Sequence, residues 1–235
     1  MKKYQAILFD LDGTLLPMDN DAFTRGYFGL LAKKVIPYGY DKEGLIPAIW
    51  NGVAAMVKND GSRKNCQAFW TYFESVYGKK VYEDLPVFDH FYSHEFQEAI
   101  AFTGSNPFAK RAVELAYEKA EKVILATNPL FPPAGVATRL GWIGLKPEDF
   151  DYVTNYENSS FCKPNPKYYD EILEKMELRA EQCLMIGNDA QEDAEAAGAA
   201  RLDTFLVTDC LICRSGEITC QKGSFEELLT FLKSL

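Results

Sequence analysis

Two carboxylates two residues apart, Asp10 and Asp12, follow the apolar run Ala6-Ile7-Leu8-Phe9 and precede Gly13-Thr14. A strand ending there sends alternate side chains to the same side, so both acids are aimed at one point. One carboxylate can attack an electrophile while the other moves a proton, and Gly13 permits the sharp turn that keeps backbone N–H groups near the reacting atom. By itself Asp-x-Asp-Gly is equally an ordinary strand-to-turn sequence, because Asp and Gly are favoured in turns. Its weight depends on what else the chain brings to the same place.

Three further clusters qualify. Thr127-Asn128 follows the apolar stretch Val123-Ile124-Leu125-Ala126. A hydroxyl and an amide beside backbone N–H groups can hold phosphate oxygens without adding charge, although Thr-Asn before Pro129 is also a common turn. Lys163-Pro164 would supply a compact positive charge able to balance a phosphoryl group and two carboxylates, with the proline fixing the local chain. In Gly187-Asn188-Asp189-Ala190-Gln191-Glu192-Asp193, Asp189 and Asp193 stand four apart across a helix start. They can converge on one hard cation or its waters, or simply cap the helix and complement its dipole.

The elements that must position these groups can be read from periodicity and breaks. After the first strand, helices are expected near residues 20–36, 43–58, 65–78 and 85–101, with no strand between them. From about residue 106 the pattern alternates. A helix opened by Asn106-Pro107 leads to a strand at 122–126, a helix near 132–140 and a short strand at 151–153. A helix at 166–176 and a strand at 183–186 follow, then a helix near 190–197, a strand at 204–207 and a final helix at 225–235. This is the pattern of a Rossmann-like parallel sheet with helices on both faces, an α/β fold whose ligands bind at the carboxyl edge of the strands. The helical stretch is then an insertion after the first strand, sitting over that edge as a cap. It holds 17 of the 32 aromatic residues, enough for its own core and an apolar face towards the cleft.

Composition narrows the partners. A net charge of −9 argues against a broad nucleic-acid or anionic membrane surface, yet leaves room for a small phosphorylated substrate, because one lysine and a divalent cation can reverse the potential inside a cleft. No apolar stretch of 18 residues occurs and no apolar h-region follows Met1-Lys2-Lys3-Tyr4, so the expected location is cytoplasmic. The six cysteines read as thiols rather than a disulfide framework. Cys210-x-x-Cys213 with Cys220 lacks a fourth ligand for zinc, and His90 and His94, four apart, read as an exposed helix face. A monomer is the default, with a dimer left open.

Taken in order, Asp10-Leu11-Asp12-Gly13-Thr14, Thr127-Asn128, Lys163-Pro164 and Gly187-Asn188-Asp189 with Asp193 closely resemble the four motifs of the haloacid dehalogenase-like (HAD) superfamily. The resemblance spans essentially the whole chain. It implies a HAD-like core at 1–16 and 104–235 and a helical cap of the C1 type at 17–103. It further implies a magnesium-dependent phosphatase acting on a small phosphomonoester. Asp10 would be the nucleophile that forms an aspartyl-phosphate and Asp12 the general acid and base. Thr127, Asn128 and Lys163 would bind phosphate. The Asp10 carboxylate, the Asp12 carbonyl and Asp189 would hold Mg2+, with Asp193 a direct or water-mediated partner. One departure stands out: the last motif commonly reads Gly-Asp, and Asn188 occupies that place here, so the metal role is assigned to Asp189. Asp12 argues against a dehalogenase or a phosphonate-cleaving enzyme, which lack an acid there. A sugar-phosphate mutase or phosphotransferase and a cap-dependent binding or regulatory protein with little turnover are the alternatives.

Overall fold

A computed structural model describes residues 2–214 and 216–235. Met1 and Ser215, which fall within the two expected core segments, lie outside the described residues. Six parallel strands form one sheet in the order β3-β2-β1-β4-β5-β6. These are β1 (Tyr4–Phe9), β2 (Ala120–Leu125), β3 (Tyr152–Val153), β4 (Cys183–Gly187), β5 (Asp203–Val207) and β6 (Gln221–Gly223). The last is too short and too polar to read from sequence, since Gln221 and Lys222 carry no strand signature.

The central strands β1 and β4 are buried on both faces, and the alternation of side chains along the sheet sorts them into two cores. Ile7, Phe9, Val123, Leu125, Leu184 and Ile186 face one way, onto α6 (Ala109–Lys119), α7 (Pro133–Trp142) and α10 (Phe225–Ser234). Ala6, Leu8, Ile124, Ala126 and Met185 face the other, onto α8 (Lys167–Met176) and α9 (Ala196–Ala199). Helix α8 turns Tyr168, Tyr169, Ile172 and Leu173 inward, the three-to-four spacing of an amphipathic helix. Helix α10 opens with a capping box, in which Ser224 accepts from the Glu227 N–H and Glu227 accepts from the Ser224 N–H.

Between β1 and α6 stands a helical unit: α1 (Asn20–Val35), α2 (Lys42–Val57), α3 (Asn65–Tyr77), α4 (Lys80–Glu83), α5 (Leu85–Ser93) and a 3-10 segment, Glu95–Phe102. The helix expected at 85–101 therefore breaks, at His94. The rings of His90 and His94 are exposed and stacked, with centroids 4.0 Å apart. The two chain segments that enter and leave the unit pair at Met18 and Thr103. On the opposite side Asn65, fully buried, donates to the carbonyl of Phe161 at 3.3 Å, and the backbone N–H groups of Asn65 and Cys66 reach the Ser159 and Tyr156 carbonyls. Phe23, Tyr27, Tyr92 and Phe96 pack on Phe131 and Trp142 beside and within α7, so one apolar cluster continues from the sheet into the helical unit.

Candidate active site

The end of β1 sets the position of Asp10, whose N–H donates to Ile186 O at 2.8 Å while Phe9 O accepts from Ala126. The chain then turns at Gly13 (φ +88°), a conformation that favours glycine. A second reason for glycine is contact: a Cβ at Gly13 would meet the Asn188 side-chain nitrogen at 2.2 Å. The turn thereby lets the loop after β4 lie directly on the loop after β1.

Lys163 is the hub of the floor. Its fully buried ammonium donates to Asp10 Oδ1 at 2.8 Å and to Asp193 Oδ1 at 2.6 Å. Burial pushes the lysine down, but the Asp10 and Asp193 carboxylates outweigh it and hold it well above its ordinary value. For Asp10, burial pushes the carboxyl up, to about 8, with Lys163 pulling the other way and Asp193 and Asp12 adding to the rise. The two directions are compatible. One lysine faces two buried acids, so this trio carries one negative charge too many.

Asp193 is locked on its other side by the backbone N–H groups of Asn188 and Asp189, at 2.9 and 3.0 Å from Oδ2. Gly187 leaves it that space, since a Cβ there would lie 2.2 Å from the Asp193 carboxyl carbon. Asp189 takes a different role from its neighbour. Its Oδ1 caps the following helix by accepting from Gln191 and Glu192 N–H, and its Oδ2 pairs with Arg214 at 2.6 Å. That helix starts as a π-turn, Ala190–Glu195, before passing into α9. Asn188 accepts from Thr14 Oγ1 at 3.0 Å and donates to Cys210 O.

Thr127 is buried at the end of β2, its carbonyl anchored by Tyr168 and Thr154 hydroxyls at 2.9 and 2.7 Å. Asn128 donates to Glu192 Oε2 at 3.0 Å, and its own Oδ1 is buried without a partner. All of Asp10, Asp12, Thr127, Asn128, Asp189 and Asp193 line one cleft under the helical unit, and Lys163 lies directly behind Asp10. At the start of the insertion Asp19 caps α1 by accepting from Ala22 N–H, whereas Asn20 and Arg25 line the cleft.

Arg139 is the functional residue that sequence reasoning missed. It is fully buried, donates from Nη1 to Asp12 Oδ2 and from Nε to Gly135 O, and stacks its guanidinium 4.1 Å from the Phe131 ring centroid. Arg139 Nη2 and Asp12 Oδ1 are buried without partners. In sequence it is a basic residue in a helix's last turn, where cations commonly sit for the dipole alone.

Counted as ionised, five carboxyl groups of the floor (Asp10, Asp12, Asp189, Glu192 and Asp193) face three cations (Lys163, Arg139 and Arg214), an excess of two negative charges that explains in part why the Asp10 carboxyl is held up near 8. Among the described residues no three acidic, histidine or cysteine side chains cluster closely enough to hold an ion alone. With the Asp12 carbonyl and the Asn188 amide, however, the floor offers hard oxygen donors only, and an anionic substrate could enter only with added positive charge. Both features fit Mg2+.

An open parallel sheet, a helical insertion after its first strand and acids gathered at its carboxyl edge define an α/β protein with an acidic cleft at the edge where such sheets bind ligands. The haloacid dehalogenase-like hydrolases match residues 4–201, and the chain belongs to that family. It is 24% identical over 206 residues to a ribulose-1,5-bisphosphate 5-phosphatase of Halopiger xanaduensis, covering 86% of this chain and 83% of the relative. Among solved structures, a Bacillus subtilis protein described as a HAD-hydrolase bound to magnesium superposes with a TM-score of 0.57 at 20% identity, over 98% of this chain and 99% of that one. A 2-haloacid dehalogenase of Pseudomonas syringae pv. tomato superposes with a TM-score of 0.61 at 16% identity, over 98% of each chain. At such identities the structural likeness establishes the fold alone. No helix among the described residues is long and apolar enough to cross a membrane.

Proposed function

We propose that the protein is a phosphatase that hydrolyses a small phosphomonoester through an aspartyl-phosphate on Asp10, with residues 17–103 acting as the cap and 1–16 and 104–235 as the core. The observation that carries this is the pairing of two acids with opposite restraints. Asp10 is held by Lys163 at the floor, and Asp12, two residues on, is held by Arg139 at the side. Asp10 attacks phosphorus in line, as the ionised carboxylate that Lys163 favours, while the bond to the leaving oxygen breaks, and Asp12, entering the cycle protonated, gives that oxygen its proton. Asp12, now ionised, takes a proton from the water that splits the Asp10–phosphorus bond, which returns both acids to their starting state.

Lys163, the Thr127 hydroxyl and the backbone N–H groups of the turn stabilise the phosphoryl oxygens. The Asn128 amide, close to the same point, contributes a further polar contact. The Asp10 carboxylate, the Asp12 carbonyl and Asp189 would hold Mg2+, with Asn188 or Asp193 completing or supporting the set. The ion supplies charge neutralisation between two approaching anions. Arg139 acts through Asp12 as a positioning residue, because its stacked, doubly anchored guanidinium leaves the carboxylate little freedom.

The phosphatase named among the relatives supports hydrolysis of phosphate esters as the chemistry. An acid at residue 12 favours it over halide displacement, since a halide leaves without a proton. Phosphate release from acetyl phosphate and a panel of phosphomonoesters, with and without Mg2+ and beside Asp10→Asn, tests the reading. Metal-dependent release that disappears in the variant supports it. Equal release from both proteins overturns it.

A further inference from the structure

From the charged floor to the helical roof the cleft encloses about 540 Å³, within the range of small-molecule sites. Its upper wall comes from α1, α2 and α3 and is made of Phe28, Leu31, Ile46, Ile49, Val53 and Phe69. Among the described residues no lysine or histidine lines it. The two arginines that do are at its edge: Arg25 is exposed, and Arg214 is more than half exposed and committed to Asp189. Asp21 and Asp89, also lining, are exposed and negative.

Hydroxyls in the wall are few, those of Thr24, Tyr27, Tyr92 and Tyr156. Tyr27 and Tyr92 hydrogen-bond each other at 2.6 Å, and Tyr156 is partnered by Trp70. A sugar or polyol placed here would lose its hydrogen bonds to water and find few replacements, at a cost that apolar contact does not repay. A second phosphate would meet apolar walls and, at the rim, two acids, Asp21 and Asp89, against the one uncommitted arginine, Arg25. An apolar, uncharged group loses nothing comparable and gains the area removed from water.

We infer that the alcohol released by this enzyme is uncharged, predominantly apolar and ring-bearing, and that the α1–α3 face of the cavity selects it. This rests on the phosphatase reading and narrows it to one substrate class. It also separates the chain from its curated relative, whose name specifies a sugar bisphosphate.

The test compares kcat/KM for 1-naphthyl phosphate, glycerol 3-phosphate and ribulose 1,5-bisphosphate, with acetyl phosphate as a control that asks nothing of the cavity. Each methylene-sized apolar contact in a fitted pocket is worth about tenfold, so 1-naphthyl phosphate is expected to lead the polar esters by roughly a hundredfold. Aryl esters also leave more readily, so a second readout removes that contribution. Val53→Lys places a charge in the wall and is expected to lower kcat/KM for 1-naphthyl phosphate at least about tenfold more than for glycerol 3-phosphate. If Val53→Lys does not fold, Ile46→Ala serves, with a smaller shift in the same direction. Turnover of acetyl phosphate with a preference for either polar ester, or a folded wall variant that leaves the ratio unchanged, overturns the inference while sparing the phosphatase reading. Failure to turn over any ester, acetyl phosphate included, overturns both.

Discussion

The floor and the roof of the cleft are built on opposite rules. At the floor all but one of the charged side chains are tied to another, Asp10 to Lys163, Lys163 to Asp193, Asp12 to Arg139 and Asp189 to Arg214, while Glu192 accepts from the Asn128 amide. At the roof side chains meet through rings and methyl groups, and of the few hydroxyls Tyr27 and Tyr92 pair with each other. Burying an ion is costly unless it is paired, so the floor can move only as a network. Apolar packing is non-directional, and a roof residue can be exchanged for another of similar size with little loss. Chemistry is thereby fixed in the core, and choice of substrate is left to the helices.

The sharpest break in that comparison is Asp10→Asn, which removes the nucleophile and is expected to abolish phosphate release from every ester, roof preference notwithstanding. Asp12→Asn keeps the nucleophile and should lower kcat by roughly two to four decades for esters whose leaving oxygen needs a proton. Arg139→Met keeps both acids and tests positioning. It strands the Asp12 carboxylate beside a buried apolar side chain, at a cost of about 3 kcal/mol in unfolding free energy or more. It should also lower kcat with little change in KM, where a purely structural arginine would leave kcat of the folded variant intact.

A further break in the comparison is read in pH-dependent stability. Burial holds the Asp10 carboxyl near 8 in the folded protein, against about 4 in an unfolded chain. The folded state therefore keeps a proton that the unfolded state releases, so stability in EDTA should fall as pH rises from about 4 to about 8. Asp10→Asn should flatten that slope, as thermal midpoints across the window would register. A wild-type slope of the opposite sign would show that Lys163, and not burial, governs the trio.

How much of this was legible in the sequence follows the same division. Asp10, Thr127 and the Gly187–Asp193 segment could be read because each ends an apolar strand and sits in a turn, where local pattern and position coincide. The pairing partners could not. Arg139 reaches Asp12 from 127 residues away, and its helix turns it inward only because Phe131 and Asp12 wait there. Asp189 and Asp193 share a spacing that suits one cation, yet the π-turn between them sends Asp193 to Lys163 while Arg214 claims Asp189. The roof was legible only as an excess of aromatic residues. Which of them face the cleft depends on how α1, α2 and α3 are rotated against the core, and contacts such as Asn65 with the Phe161 carbonyl, distant in the chain, set that rotation.

The most direct test of the central claim is to trap the phosphoryl group on the floor. With Asp12→Asn and p-nitrophenyl phosphate, whose leaving group needs no proton, attack by Asp10 should proceed while water attack stalls. Rapid quenching and peptide mass spectrometry should then find the added phosphoryl mass on the peptide containing Asp10. Release of p-nitrophenol by this variant with no phosphoryl mass on that peptide would contradict the account.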